Sequence, residues 1–212
     1  MIVSCAKNIN WSIRDRNTNH VEDNAELLNH NKDSVEKSSI HHVAHLSLTR
    51  KEISRFTPAH RTFQNDALKI HNILRARHCV SPLVLDEEMN IRAQIYAEHL
   101  AEKDGKLIHS TDRNDRFGEN LYAITRKTPI TNLAAEKVVR TWYDEIQFYD
   151  YNKPVYNAST GHFTQIVWRE SKILGVGYAS ARKGAKMFVV AQYGPAGNHR
   201  FKFSTNVLKP EC

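Results

Sequence analysis

Gly161-His162-Phe163-Thr164-Gln165-Ile166-Val167-Trp168 opens on a glycine and a histidine and then becomes rich in branched and aromatic residues. That content predicts a buried strand beginning at His162. A second run of the same character, Lys186-Met187-Phe188-Val189-Val190-Ala191-Gln192-Tyr193, predicts another strand. Between them Ile173 to Ser180 carries Gly175 and Gly177, and Arg182-Lys183-Gly184 has the composition of a hairpin turn.

Toward the N-terminus the period changes. Phe63, Ala67, Ile70 and Leu74 recur at spacings of 4, 3 and 4, the stripe of an amphipathic helix. Pro58 marks its start, and it should end near His78-Cys79, because Ser81 precedes Pro82 and is pushed out of the helical region. A second helix starts with Asp86 as N-cap, carries Met89, Ala93, Tyr96 and Leu100 on one face, and stops at Asp104-Gly105. A third is predicted from about Leu133 to Tyr149, capped by Thr131 or Asn132. Helices first and strands later make an α+β chain, without the strict alternation of a doubly wound parallel sheet.

Residues 1–57 differ in composition. They are dense in Asn, Ser and His, contain no tyrosine, and offer little apolar surface to offset ordering entropy, so a flexible, low-complexity extension is expected there. His41-His42-x-x-His45 within it reads either as a metal cluster or as a solvated polar tract.

The chain has 212 residues, 41% apolar and 25% charged, which excludes collagen, coiled coil and wholesale disorder. No apolar run approaches the roughly 18 residues that span a bilayer. Met1-Ile2-Val3-Ser4-Cys5 lacks the basic start and apolar run of a secretory signal, and Ile2 replaces the glycine needed for myristoylation. Cys5, Cys79 and Cys212 are odd in number and widely scattered, so no disulfide framework is expected and a reducing compartment is favoured. Thirty Lys and Arg against 23 acidic residues give a net charge of +7, which favours anionic partners.

Four polar residues sit awkwardly. Glu145 shares the apolar face of the third helix with Val138, Trp142, Ile146 and Tyr149, where a carboxylate must be paired, protonated or at the edge reaching solvent. His162 begins the first predicted strand, Glu119 is wedged in Phe117-Gly118-Glu119-Asn120-Leu121, and His109 follows Leu107-Ile108 after the Gly105 stop. Each alone reads as structural. Together, two histidines and two glutamates could hold zinc or a similar cation, or supply a general acid and base. No HExxH, GxSxG, CxxC, P-loop or GxGxxG pattern is present.

Gly161–Trp168 resembles the first signature of the CAP superfamily of cysteine-rich secretory proteins, antigen 5 and plant pathogenesis-related proteins. Gly118-Glu119-Asn120-Leu121, Trp142-Tyr143-Asp144-Glu145-Ile146, Phe188–Tyr193 and Pro195-Ala196-Gly197-Asn198 resemble further family blocks in the right order, and His71-Asn72 with Arg75 resembles the first helix. The resemblance covers roughly 60–210, so the domain expectation is an extension over 1–57 and a CAP domain over 58–212. It implies a three-layer α-β-α sandwich with a central, largely antiparallel sheet, and a cavity tetrad of His109, Glu119, Glu145 and His162 in which the two histidines can hold a divalent ion such as zinc. Ala191 stands where the family usually has a cysteine, and the disulfide cysteines of secreted members are missing. The chain is therefore similar to the Golgi-associated, intracellular branch. That implies a peripheral position on Golgi or other membranes, with non-classical secretion as an alternative; Cys5 itself reads either as a free, unmodified thiol or as an acylation candidate.

The leading expectation is a non-enzymatic binding module for anionic phospholipid or sterol, with protein partners or a second copy of the chain as further partners. Its candidate membrane charges are Arg75, Arg77, Arg113, Arg116, Arg126, Lys127, Arg182, Lys183, Lys186, Arg200 and Lys202, if they share a face. The alternative is a metal-dependent, peptidase-like hydrolase with Glu119 or Glu145 as acid and base. A serine-type variant has only Ser110, Thr125, Ser159 and Thr164 to draw on. Nothing resembling a recognition helix, zinc finger or RNA-binding motif supports nucleic-acid binding.

Overall fold

The computed structural model describes residues 56–111 and 116–212. The N-terminal extension up to Arg55, the His41/His42/His45 cluster, Cys5 and Arg113 lie outside the described residues.

Capping sets the first two helices. In α1 (Pro58–Ala76) the Thr57 hydroxyl accepts from His60 N, while His60 Nδ1 accepts from Thr57 N at 3.2 Å. Pro58, at the first turn, has no N–H to leave unpaired. In α2 (Glu87–Lys103) Asp86 Oδ1 accepts from Met89 N at 2.8 Å, and Asp104 in the left-handed region (φ 44°) ends the helix. Both helices lie where the apolar stripes predict them.

The strands are β1 (Val84–Leu85), β2 (Gly118–Thr125), β3 (Ile173–Ala181) and β4 (Lys186–Gly194), in the order β1-β3-β4-β2. β1 runs parallel to β3; the other pairings are antiparallel. The Arg182–Gly184 turn joins β3 to β4 with positive φ at all three residues. Every residue of β4 is buried, as a central strand covered on both faces requires. Its alternation splits two cores: Val189, Ala191 and Tyr193 join Phe63, Leu74, Val138, Trp142 and Phe163, whereas Phe188 and Val190 join Ala93, Ala97 and Leu100 of α2. The sheet thus lies between α2 on one face and α1, α3 (Ala135–Tyr143) and α4 (Gly161–Ile166) on the other, a three-layer α-β-α sandwich.

Two features of β3 explain how α2 seats. At Gly177 a Cβ would collide with the α2 backbone at Ala93 and Gln94, so only glycine lets helix and strand approach so closely. Beyond β1, amide side chains occupy the outer edge of β3. Asn90 Oδ1 accepts from Val176 N, Gln64 Nε2 donates to Val176 O, and Gln94 bonds both backbone groups of Tyr178. An edge that would otherwise invite pairing is closed from within.

Three expectations are corrected. The stretch predicted as a strand from His162 is helix α4; residues His162 to Ile166 are all buried, so composition mimics a core strand and no amphipathic stripe shows. The third helix is shorter: α3 ends at Tyr143, Asp144–Phe148 tightens into a 3-10 turn, and the N-cap is Ala134, with no side-chain cap, in place of Thr131 or Asn132. Cys79 and Cys212 form a disulfide across 133 residues, against the expectation of a fold independent of disulfides. Cys212 N also donates to Arg77 O, fastening the C-terminal residue to the turn after α1. A spacing this wide gives no pattern to recognise.

Candidate functional site

Glu119 occupies the second position of β2, and four donors converge on it. Its Oε1 accepts from His109 Nδ1 at 2.9 Å and Ser110 N at 3.0 Å; its Oε2 accepts from Ser110 Oγ at 2.8 Å and Gln192 Nε2 at 3.1 Å. Gln192 is its register partner on β4, so sheet pairing itself delivers that donor. Burial pushes the Glu119 carboxyl up, but the hydrogen bonds from His109, Gln192 and Ser110 outweigh it, and the net displacement is below the ordinary carboxylate value.

Glu145 sits in the 3-10 turn and His162 on the first turn of α4. Their side chains meet at 2.7 Å, Glu145 Oε1 to His162 Nδ1. Helix α4 has no capping side chain of its own; Glu145 Oε2 accepts from the N–H groups of His162 at 2.9 Å and Phe163 at 3.3 Å. The carboxylate that looked costly on an apolar face therefore caps a helix start and orients an imidazole. The His162 ring stacks on Trp142, with centroids 6.3 Å apart, and Trp142 Nε1 donates to Leu121 O on β2.

Asn120 links the two pairs. Consecutive strand residues face opposite ways: Glu119 takes His109, and Asn120 Nδ2 donates to the His162 carbonyl at 3.1 Å and to the Tyr193 hydroxyl oxygen at 3.1 Å. Tyr193 in turn donates to His71 Nε2 at 2.9 Å, and His71 Nδ1, facing Ala67 O at 2.7 Å, must carry its proton. Burial lowers His71 to about 4, so this imidazole is neutral near pH 7.

The far end of α4 rests on Arg75. Fully buried, its guanidinium donates to the carbonyls of Ile166, Trp168, Ser171 and Ser81 at 2.8 to 3.0 Å. Burial lowers it to about 10. Arg75 is thus a clamp on the His162 helix and is removed from the candidate membrane charges. Lys186, 9% exposed and bonded to Asp104, is removed as well.

An imidazole that gives its Nδ1 proton to a carboxylate presents Nε2 as the lone-pair nitrogen, the arrangement of histidine ligands held by an outer carboxylate. Both pairs have that form. Among the described residues, no group of three or more His, Cys, Asp or Glu is placed to hold a metal. Of the candidate nucleophiles, Ser110 is 4% exposed and donates to Glu119, Thr164 donates to Asn198 Oδ1 at 2.6 Å, and Ser159 donates to Asn157 Oδ1 at 2.9 Å. Thr125 is an exposed residue at the far end of β2. Below α1 and α3 an apolar gap of about 180 Å³ is lined by Phe63, Ala67, Val138, Trp142 and Val189 among others. It encloses essentially no room for a bound molecule.

The sequence from Leu68 to Tyr193 matches the model of the cysteine-rich secretory protein family, CAP. This chain belongs to the CAP family. It is 41% identical over 157 residues to Golgi-associated plant pathogenesis-related protein 1 of Homo sapiens, a match covering 72% of this chain and 97% of that protein. It is 37% identical over 139 residues to pathogenesis-related protein 1A of Nicotiana tabacum, covering 65% and 77%. Among solved structures, NaASP2 with Zn2+ aligns at a TM-score of 0.55 and 22% identity over 68% of this chain and 84% of that one. Venom allergen-like protein 4 of Schistosoma mansoni aligns at 0.53 and 20%, over 70% and 96%. These structural likenesses carry the CAP fold alone.

Sequence reasoning singled out His109, Glu119, Glu145 and His162 but neither their pairing nor the residues that join and hold the pairs. In the sequence Asn120 shows only as part of a motif; recognising Gly118–Thr125 as a strand puts Glu119 and Asn120 on opposite faces. Gln192 and Tyr193 follow from the β2–β4 register, which no local pattern reveals.

Proposed function

We propose that this CAP domain is a peripheral, lipid-associating module whose two histidines hold a divalent cation, zinc foremost. What carries the membrane part is how the exposed cations sort. With Arg75 and Lys186 set aside, Arg126, Lys127 and Lys183 gather at the β3–β4 turn with Arg182, which is paired with Asp104 at 2.6 Å; there Arg126 N donates to Ala185 O and Ile130 N to Gly184 O, each at 2.8 Å. Arg169, Lys172, Arg200 and Lys202 gather past the opposite strand ends. Each exposed cation near an anionic leaflet contributes about 1 kcal/mol. No helix among the described residues is long and apolar enough to cross a membrane, and the human relative's name, Golgi-associated, suggests an endomembrane.

A bound cation would be held by His109 and His162 through Nε2, with water completing its shell and the two glutamates fixing the rings; it would supply Lewis acidity to that water. Vesicle co-sedimentation tests the main reading. Binding should rise with phosphatidylserine content and fall as salt goes from about 0.1 M to about 1 M. Salt-insensitive binding would defeat it, and peptide turnover abolished by His162→Ala and by chelation would replace it with a metal-dependent hydrolase.

A further inference from the structure

We propose that the Arg200-Phe201-Lys202 turn is a membrane-insertion tip, with Phe201 entering the interfacial layer of an anionic phospholipid bilayer while Arg169, Lys172 and Arg200 lie against its headgroups. This rests on the lipid reading above and selects which basic end of the sheet faces the membrane.

Phe201 is 86% exposed, the most exposed large apolar side chain among the described residues. It also sits at φ 68°, in the left-handed region that a bulky L residue rarely adopts. The fold holds it there. On one side Phe203, 1% exposed, packs edge-on against Trp168 at 5.1 Å. On the other, Asn198 (φ 60°) accepts from Thr164 Oγ1 at 2.6 Å and donates to Gly161 O at 2.9 Å, and Lys202 N donates to His199 O at 3.2 Å. Both flanks are anchored, so the backbone presents the ring outward at a conformational cost. The Arg200 guanidinium lies 4.8 Å from the ring's centroid. Strain that turns an aromatic ring into solvent gains the isolated fold nothing and points to a use for the ring.

The surroundings select the partner. The neighbouring turn lies alongside, with Arg169 N donating to Asn206 O and Lys172 Nζ to Arg169 O, each at 3.1 Å. Glu170 is the acid between them and is paired with Lys202 at 3.1 Å. Four cations against one carboxylate around a protruding aromatic ring match the headgroup layer, where rings bury their bodies and basic side chains meet phosphate. The other basic end lacks an anchor: no exposed large apolar side chain lies in residues 125–130 or 181–186.

The test uses the full chain and phosphatidylcholine vesicles with and without phosphatidylserine. Phe201→Ala should weaken partitioning about fivefold to tenfold. Phe201→Gly should weaken it equally while its melting temperature stays level or rises, because glycine tolerates the left-handed backbone. Phe201→Trp should keep binding, and its added fluorescence should be quenched by brominated lipid more than the wild type's. Lys127→Gln/Lys183→Gln should cost less than either truncation. Wild-type binding with unchanged Phe201→Ala, or no extra quenching in Phe201→Trp, overturns the insertion tip and leaves the lipid reading standing. A wild type that ignores phosphatidylserine overturns both.

Discussion

Replacing Glu119 by glutamine keeps the side chain's shape and removes its charge. Four donors point at that carboxylate, at 2.8 to 3.1 Å. A glutamine offers one oxygen, so two donors must face an NH2 group, whichever way the amide turns. Hydrogen bonds to a charged acceptor contribute about 1.5–3 kcal/mol each. The Ser110 hydroxyl can rotate to accept and recover part of the loss, leaving a cost near 3 kcal/mol. For a domain of this size that lowers Tm by about 6–12 °C. The pH dependence is a second signature. Because the folded-state pKa lies below the ordinary glutamate value of about 4.5, the Glu119 contribution is complete above that pH and is lost as pH falls through the folded value. The gap between wild type and Glu119→Gln, read from urea unfolding followed by tryptophan fluorescence, should be full at neutral pH and narrow in acid. Equal stability at neutral pH, or a gap unchanged in acid, would refute the four-donor reasoning.

Arg75→Met should destabilise by about 3 kcal/mol or more, since it strips three buried carbonyls and a part-buried one of their donor; a urea midpoint near wild type would contradict the clamp. The depressed His71 lets the unfolded chain bind its proton first, so stability should fall by roughly 3 kcal/mol as pH drops from 6.5 to about 4, with His78, lowered by burial, adding in the same sense. A flat profile across that window, measured by denaturant titration, would count against it. Cys212→Ser opens a loop of 133 residues and should cost about 2–4 kcal/mol, with wild type in reductant behaving like the variant.

Local chemistry was the readable part of this fold. The stripe Phe63-Ala67-Ile70-Leu74 and the caps at Asp86 and Asp104 fix α1 and α2 because their signals lie within a few residues of each other. The hairpin at Arg182–Gly184 is legible for the same reason. Helix α4 was not, because a six-residue helix buried along nearly its whole length has a core strand's composition. From sequence Arg75 counts among the candidate membrane charges, because its four acceptors come from residues 81, 166, 168 and 171, which only the tertiary fold assembles. The His–Glu pairs stood out as polar residues in apolar surroundings, yet the partnering of His109 with Glu119 and His162 with Glu145 needs the 3-10 turn to bring Glu145 to α4.

Calorimetric zinc titration of the full chain and of the His109→Ala/His162→Ala variant, at about pH 7.5 and about pH 5.5, tests most directly whether the two imidazoles form one cation site. The wild type should show a class of sites that the variant lacks and that weakens at the lower pH, as protons compete for Nε2. Identical isotherms for the two proteins would contradict it.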